Sequence, residues 1–267
     1  MLWEEMTAKE FEKAVVETDR TCIIPFGVIE KHGDHMPICT DVEVGRRIAI
    51  EAAKIEPAVV FPYYFFGQIA CGRHCPGTIS IPNDLMVALL DEVCREIARN
   101  GFKKIIILIA HGGNIHFVKF FNQCCLREKK DYVVYGYDFY NWMTGKASKE
   151  VSGLLGTDDF GGHGGNLETS LVMAMRPELI KMENVIPEEA IAKERLRQFE
   201  DNDVFTGIWW YADYPHHFAG DPSYSSKAKG EKIFKRVIQN VAEIIGMIKK
   251  DQTAALLQDE FFTNCSF

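Results

Sequence analysis

Histidine and carboxylate side chains concentrate in three short segments of this chain, residues 30–41, 111–114 and 163–170. Imidazole nitrogens and carboxylate oxygens are ligands with which proteins bind Zn²⁺, Mn²⁺ or Fe²⁺, and they also serve as catalytic acids and bases. The residue types therefore leave two interpretations open, a site for divalent metal ions and an active site without metal. The side chains concerned are Glu30, His32, Asp41, His111, His163 and Glu168.

Spacing within the first segment favours convergence of its ligands. Glu30 and His32 are two residues apart, so in an extended backbone their side chains point to the same side. Asp41 stands at the predicted start of a helix, where its two carboxylate oxygens can bridge two ions. Glycine pairs at 112–113 and 164–165 allow the backbone to come close to a metal or a substrate. No H-E-x-x-H signature is present, so spacing alone does not decide in favour of metal.

The other histidines and the cysteines have ordinary explanations. A lone histidine is usually solvated at the surface, and we predict this for positions 116, 216 and 217. We expect His35 to hydrogen-bond beside the site instead of binding metal. The eight cysteines form no C-x-x-C pair, which predicts free thiols in a reducing cytoplasm, with Cys71 and Cys75 packed against neighbours.

Residues beside the three segments are candidates for contact with a substrate. The aromatic segments 65–74 and 209–218 are predicted to shape specificity. Tryptophan more often packs in a core or an interface than it stacks on a substrate, so both roles stay open for this residue type. The candidates are His74, Gly112, Gly113, Asn114, Trp142 and Trp209.

Alternating strands and helices must position these residues. Short apolar runs predict strands at 21–26, 58–64, 104–110 and 132–137, and the third is apolar throughout, as in a parallel sheet covered on both faces. Periodicity and capping residues predict one helix that ends near 18 and further helices at 41–54, 82–100 and 115–127. In the C-terminal third we predict helices at 166–175, 188–203 and 225–250, with an aromatic loop at 209–222. This alternation predicts right-handed βαβ units and an α/β sandwich.

Composition excludes several classes of protein. The chain has 267 residues, a length that one large domain covering 1–267 accommodates. Its 38 acidic and 30 basic residues give a net charge of −8, which disfavours nucleic acid as a partner. No apolar run reaches the 18 or so residues of a membrane span, and the acidic start predicts no export. We therefore expect a cytoplasmic protein that acts on a small molecule.

Five sequence blocks together resemble the creatininase (creatinine amidohydrolase) family. The first is PFGVIEKHGDHMP at 25–37, followed by Asp41. The others follow in the same order and spacing as in the family: HCPGT at 74–78, HGGN at 111–114, HGGNLETS at 163–170 and GDP at 220–222. The resemblance covers residues 3 to 250, nearly the whole chain.

This resemblance implies a three-layer α/β/α sandwich with a mainly parallel central sheet. It also implies a binuclear centre of Zn²⁺, Mn²⁺ or Fe²⁺ in each subunit of a homo-oligomer, commonly a hexamer. By position, Glu30, Asp41 and His111 correspond to the ligands of one ion, and His32 and Asp41 to ligands of the other. Creatininase completes its second ion with a glutamate where this chain has Gly113. The departure puts creatinine as the substrate in doubt, and Glu168 becomes the candidate for the missing ligand.

The resulting hypothesis is a hydrolase that uses a metal-activated water to cleave an amide C–N bond, cyclic or formamide-like, in a small polar metabolite. His163 has an ordinary pKa near 6.5, which suits a proton shuttle to the leaving nitrogen, and Glu168 could hold or orient that proton. Two alternatives remain: a ring-opening hydrolase of a non-amide substrate such as a keto-inositol, and a non-catalytic relative that binds metal or metabolite.

Overall fold

A four-stranded sheet in which all neighbouring strands are parallel lies at the centre of the computed structural model, which describes residues 1–265. The strand order is β2-β1-β3-β4. Thr21 of β1 pairs with Lys104 of β3, and the register continues without a bulge to Phe26 and Ile109. The strands are β1 (Thr21–Phe26), β2 (Val59–Val60), β3 (Lys104–Ile109) and β4 (Val133–Asp138).

The predicted strand at 58–64 is shorter than expected. Only Val59 and Val60 pair with β1, and Tyr64 makes one isolated bridge to Phe26. Pro62 lies between Val60 and Tyr64. Because proline has no N–H to donate to a neighbouring strand, the β-ladder stops before Pro62. The other three strands agree with the prediction to within one residue at each end.

Eleven α-helices occur in the described part of the chain. Three short ones, at Phe139–Asn141, Arg197–Glu200 and Trp209–Asp213, lie within connections. A π-helical turn at Trp142–Lys146 follows the first of them. The helices are α1 (Ala8–Glu17), α2 (Thr40–Ile55), α3 (Asn83–Arg99), α4 (Asn114–Cys124), α5 (Phe139–Asn141), α6 (Ser148–Leu155), α7 (Asn166–Met175), α8 (Arg197–Glu200), α9 (Trp209–Asp213), α10 (Lys227–Lys250) and α11 (Thr253–Asn264). None of them, within residues 1–265, has the length and apolarity that crossing a membrane requires.

The predicted charged helix at 188–203 is wrong. This segment contains a 3₁₀ turn, Pro187–Ala190, and the four-residue helix α8. Neither element has a buried residue, so no apolar face is available to stabilise a longer helix by packing. The predicted loop at 209–222 also needs correction, because it begins with α9.

The helices cover both faces of the sheet, which confirms the predicted α/β/α sandwich. Alternate residues of β3 enter different cores: Ile106 and Leu108 pack with α2, α7 and α10, whereas Ile105 and Ile107 pack with α1, α3 and α4. Burial on both faces explains why this strand is apolar throughout.

Close packing of α10 on α7 fixes the helix that carries Glu168. A Cβ atom at Gly230 of α10 would overlap the carbonyl oxygen of Ser170 in α7, so only glycine allows this approach. Gly246, further along α10, has more room, since a Cβ there would lie 3.4 Å from the Glu56 carboxylate.

Gly230→Ala is expected to lower the free energy of unfolding by about 1–3 kcal/mol, because backbone atoms of two helices must move apart. Gly246→Ala, the matched control, is expected to raise it by up to about 1 kcal/mol through helix propensity. Urea denaturation of both variants measures the difference. Equal free energies of unfolding in the two variants would show that the α7–α10 contact does not require glycine at position 230.

Candidate metal centre

Four element ends bring the chemically important side chains together. Glu30 and His32 lie in the loop after β1, and His111 follows β3 by two residues. Asp41 is in the first turn of α2, and Glu168 is in the first turn of α7. Since the carboxyl ends of parallel strands share one edge of a sheet, these segments meet there.

Glu30, Asp41 and His111 form a buried group of potential ligands. The Nδ1 atom of His111 lies 2.8 Å from Oε1 of Glu30 and 3.1 Å from Oδ2 of Asp41. Oε1 of Glu30 and Oδ2 of Asp41 are buried, and neither makes a hydrogen bond of normal geometry within the described residues, although both lie near Nδ1 of His111. Buried polar atoms are normally paired, and a divalent ion would satisfy all three atoms at once. The donor set therefore fits a metal ion.

A second group lies on the other side of Asp41. The Oδ1 atom of Asp41 is 3.1 Å from Nε2 of His32, which in turn is 3.8 Å from Oε2 of Glu168. His32, His163 and Glu168 also converge closely enough to hold an ion. The two oxygens of Asp41 thus face different groups, as a bridging carboxylate requires.

The pKa shifts of these side chains show how strongly their charges depend on one another. Burial raises the pKa of Glu168 to about 7, although His32 opposes this shift. Burial alone would lower the pKa of His32, but Asp41 raises it to about 10. For Glu30, burial would raise the pKa, but His111 and a hydrogen bond from His217 outweigh it, so the pKa lies well below the ordinary value. Positive charge is therefore required among these carboxylates, and without a metal the imidazoles supply it.

His163 is the exception, because it is held neutral. Burial and the neighbouring His32 lower its pKa to about 3. Its Nε2 atom donates to the carbonyl oxygen of Lys31 at 2.7 Å, which leaves Nδ1 as the nitrogen with a free lone pair. Its ring lies beside that of His32, with centroids 4.1 Å apart. The ring is therefore neutral with one free nitrogen, but its lowered pKa makes it a weaker base than the ordinary pKa near 6.5 on which the predicted proton shuttle rests.

The turn before α7 is held in place by hydrogen bonds. The backbone N–H of Gly164 donates to Oε2 of Glu168 at 2.7 Å. The buried His35 lies 3.0 Å from the carbonyl oxygen of Gly164 and 3.2 Å from the hydroxyl of Thr169, through its Nε2 atom. This confirms the prediction that His35 acts by hydrogen bonding.

A cavity of about 470 Å³ opens over both groups. Its wall is largely aromatic and apolar, and none of the described residues that line it is Lys or Arg. The hydroxyl of Tyr140, a lining residue, is buried and has no hydrogen-bond partner in the described residues. Besides the potential metal ligands, the lining comprises Cys71, Gly112, Gly113, His116, Tyr140, Thr144, Phe160, Gly162, Leu167, Trp209 and Trp210.

Three predicted substrate contacts lie outside this lining. Trp142 packs against the α2/α7/α10 core and under the guanidinium of Arg236. Asn114 uses its side chain to accept from the backbone N–H of Gln68 at 2.8 Å. His74 contacts the carbonyl oxygen of Pro215 at 2.8 Å. Their polar or aromatic groups are thus occupied by protein contacts, whereas the other three candidates, Gly112, Gly113 and Trp209, line the cavity.

The prediction that His217 is solvated at the surface is wrong. This residue was expected at the surface, yet it is 1% exposed and its Nε2 atom lies 2.6 Å from Oε2 of Glu30. Its position three residues before the recognised Gly-Asp-Pro block at 220–222 was the available signal. The predictions of exposed side chains at His116 and His216 are confirmed. Cys75 is buried as predicted, whereas Cys71 borders the cavity.

Comparison with known proteins decides the family. The family model Creatininase, described as creatinine amidohydrolase, matches residues 4–245. The chain belongs to the creatininase family. Creatinine amidohydrolase of Pseudomonas putida is 27% identical over 90% of this chain and 94% of its own length. A mycofactocin precursor peptide peptidase of Mycolicibacterium smegmatis is 26% identical over 88% of this chain and 87% of its own.

A third relative acts on another kind of substrate. The 3-dehydro-scyllo-inosose hydrolase of Thermotoga maritima is 26% identical over 91% of this chain and 82% of its own length. All three relatives are hydrolases by name, and this creatininase-family chain is a hydrolase.

Solved creatininase structures share the fold. A mutant creatininase has a TM-score of 0.77 at 25% identity and covers 94% of this chain and 99% of its own. A mutant creatininase of Zn–Zn type has a TM-score of 0.74, and a manganese creatininase one of 0.73, both at 25% identity. The Zn–Zn form covers 94% of this chain and 98% of its own, and the manganese form 94% and 99%. These relatives and the ligand groups described above support binding of a divalent metal.

Metal binding is expected to stabilise the fold. An ion bound only by the folded state adds about 2.7 kcal/mol at 100 times its Kd, so added Mn²⁺ or Zn²⁺ should raise the thermal midpoint of chelator-treated protein. Asp41→Asn should lose most of that rise, because one side chain serves both groups. Asp34→Asn is the matched control, since Asp34 has an exposed side chain that pairs with Lys31. Equal metal-induced rises in both variants would exclude Asp41 as a shared ligand.

Proposed function

We propose that this hydrolase is metal-dependent and cleaves an amide C–N bond, cyclic or formamide-like, in a small polar substrate. The observation that carries the proposal is the convergence of Glu30, Asp41 and His111 with two buried carboxylate oxygens that lack any hydrogen-bond partner in residues 1–265. Such an arrangement is costly without a cation and favourable with one.

Two ions per subunit, of Zn²⁺, Mn²⁺ or Fe²⁺, are the cofactor we propose. Glu30, Asp41 and His111 would hold one ion. His32 and the second oxygen of Asp41 would hold the other, with Glu168 in place of the ligand that Gly113 cannot provide. When bound, such ions lower the pKa of water from 15.7 toward about 7 and polarise a carbonyl group.

The remaining residues handle protons and charge around the reacting amide. The free Nδ1 atom of His163 is suited to take a proton from the attacking water and deliver it to the departing nitrogen. Glu168, with its raised pKa, can share that proton or, as a ligand, remain ionised. As the donor to the oxygen on which negative charge develops we propose Tyr140, a lining residue whose buried hydroxyl has no partner among the described residues.

An amide fits the cavity better than a polyol does. Each hydroxyl of a keto-inositol needs a polar partner, and a buried polar group left unpaired costs about 1–3 kcal/mol. Apart from the potential metal ligands, the lining consists mainly of aromatic, apolar and glycine residues, with His116, Tyr140 and Thr144 as its few polar side chains. Two of the three relatives above are named for action on amides or peptides, which supports the same choice. We further propose that the enzyme is a cytoplasmic homo-oligomer, such as a hexamer.

Elemental analysis combined with a substrate panel tests the proposal. The panel contains creatinine, small lactams, formamides and N-formyl amino acids, each with added Mn²⁺ or Zn²⁺. Glu30→Ala and His111→Ala are expected to lower metal content from two ions toward one per subunit and turnover by about 100-fold or more, because each removes a ligand of one ion. Wild-type turnover in either variant would contradict the assignment. Tight metal binding without turnover of any amide, or with turnover of a keto-inositol only, would favour the corresponding alternative.

Tyr140→Phe is expected to lower kcat for the best panel substrate by about 10²–10³, with KM and metal content little changed, because it removes a donor that acts only in the transition state. The fold should not suffer, since the hydroxyl has no partner among the described residues. Tyr135→Phe is the matched control, because Tyr135 bonds to Asp251 instead. Steady-state kinetics of both variants, with their metal content quantified, measure the effect. An unchanged kcat in Tyr140→Phe would contradict the proposed role of Tyr140 as a donor.

A further inference from the structure

One imidazole in the site makes contact with a proposed metal ligand from a distant part of the chain. The Nε2 atom of His217 lies 2.6 Å from Oε2 of Glu30, and both residues are 1% exposed. On the other side of the ring, the indole N–H of Trp210 donates to Nδ1 at 3.0 Å. Trp210, His217 and Glu30 therefore form a continuous chain of hydrogen bonds that leads from the cavity wall to the ligand group.

This chain fixes which nitrogen of His217 carries the proton. An indole N–H can only donate, so Nδ1 must accept with its lone pair. In the neutral ring the proton is then on Nε2, which donates it to Oε2 of Glu30. A nitrogen that carries a proton has no lone pair for a cation. His217 is therefore placed to orient Glu30, even though Glu30, His163 and His217 lie close enough to form a third potential ligand group.

The backbone at His217 shows that this placement is maintained at a cost. Its φ angle is +54°, in the left-handed region that non-glycine residues rarely adopt. Two backbone hydrogen bonds hold it there: its N–H donates to the carbonyl oxygen of Tyr214 at 3.0 Å, and its own carbonyl accepts from Gly33 at 3.3 Å. Such strain persists where the surrounding structure determines the position, and it is concentrated at functional sites.

We propose that His217 is a positioning residue that holds the metal ligand Glu30, and that Trp210 fixes the tautomer that does so. This inference rests on the proposed metal centre. Because Oε2 of Glu30 is occupied by His217, only Oε1 is directed to the ion shared with Asp41 and His111. Residues that orient metal ligands in this way typically contribute 10- to 100-fold to metal affinity.

The test compares two substitutions at His217 in the full-length protein. His217→Ala removes the donor to Glu30, whereas His217→Gln can restore it, because the amide nitrogen of Gln reaches about as far as Nε2. Both new residues have a Cβ atom, so the backbone strain at φ +54° is common to them. His216→Ala is the matched control, since the neighbouring imidazole is on the surface beside Glu189.

The measurement is the affinity for Zn²⁺ and for Mn²⁺, obtained by competition with a chromogenic chelator after metal removal. His217→Ala should bind about 10- to 100-fold more weakly. His217→Gln should remain within about threefold of wild type, and His216→Ala should be unchanged. Trp210→Phe should fall between His217→Ala and wild type, because it frees the tautomer without removing the ring. Circular dichroism of the variants before metal is added identifies any that fails to fold. If His217→Ala fails to fold, the comparison rests on Trp210→Phe and His217→Gln.

Co²⁺ substitution separates orientation from direct ligation. Under this proposal the visible spectrum of the Co²⁺ form is the same in wild type and His217→Gln, because the ligand set is unchanged. A changed spectrum would identify His217 as a ligand and overturn the proposal, as would wild-type Zn²⁺ affinity in His217→Ala. If the wild-type protein itself bound neither Zn²⁺ nor Mn²⁺, the proposed metal centre would fail first, and this inference would fail with it.

Discussion

The constraint on which the site depends is the burial of several carboxylates in one place. Glu30 and Asp41 are each 1% exposed, and Glu168 approaches them from α7. Carboxylates in a low-dielectric environment repel one another and lose hydration, so positive charge must be present among them. Imidazoles from four loops surround these carboxylates, and divalent ions would neutralise the carboxylates more completely. The loops must therefore place the imidazole rings beside the buried carboxylates.

Glycine at a few positions makes the approach of these loops possible. A Cβ atom at Gly220 would overlap the carbonyl oxygen of Gly161, and Gly162 and Gly164 have φ angles of +56° and +77°. The turn that carries His163 can therefore fold tightly against the segment before α10. Sequence motifs rich in Gly and His thus combine two functions, since the glycines create the close approach and the histidines use it.

The site also connects the cavity wall with the ligand group. Trp210 both lines the cavity and donates to His217, so a substrate that touches the indole contacts a residue only two hydrogen bonds away from Glu30. Aromatic residues of α9 consequently belong to the site chemically as well as sterically. Of the two lining glycines, Gly112 has open space where a Cβ atom would be, whereas a Cβ atom at Gly113 would overlap the ring of His111.

Much of this could be predicted from the sequence alone. Local apolar patterns and caps determined three of the four strands, most of the long helices and the ends of strands at which Glu30, His32 and His111 lie, because these depend on neighbours in the chain. The short β2 and the failed helix at 188–203 depended on tertiary pairing and burial, which local pattern does not contain. Likewise, only the tertiary structure decided that His217 is buried against Glu30, that Tyr140 faces the cavity and that Trp142 does not. Such roles arise from contacts between residues far apart in sequence, so no spacing rule can reveal them.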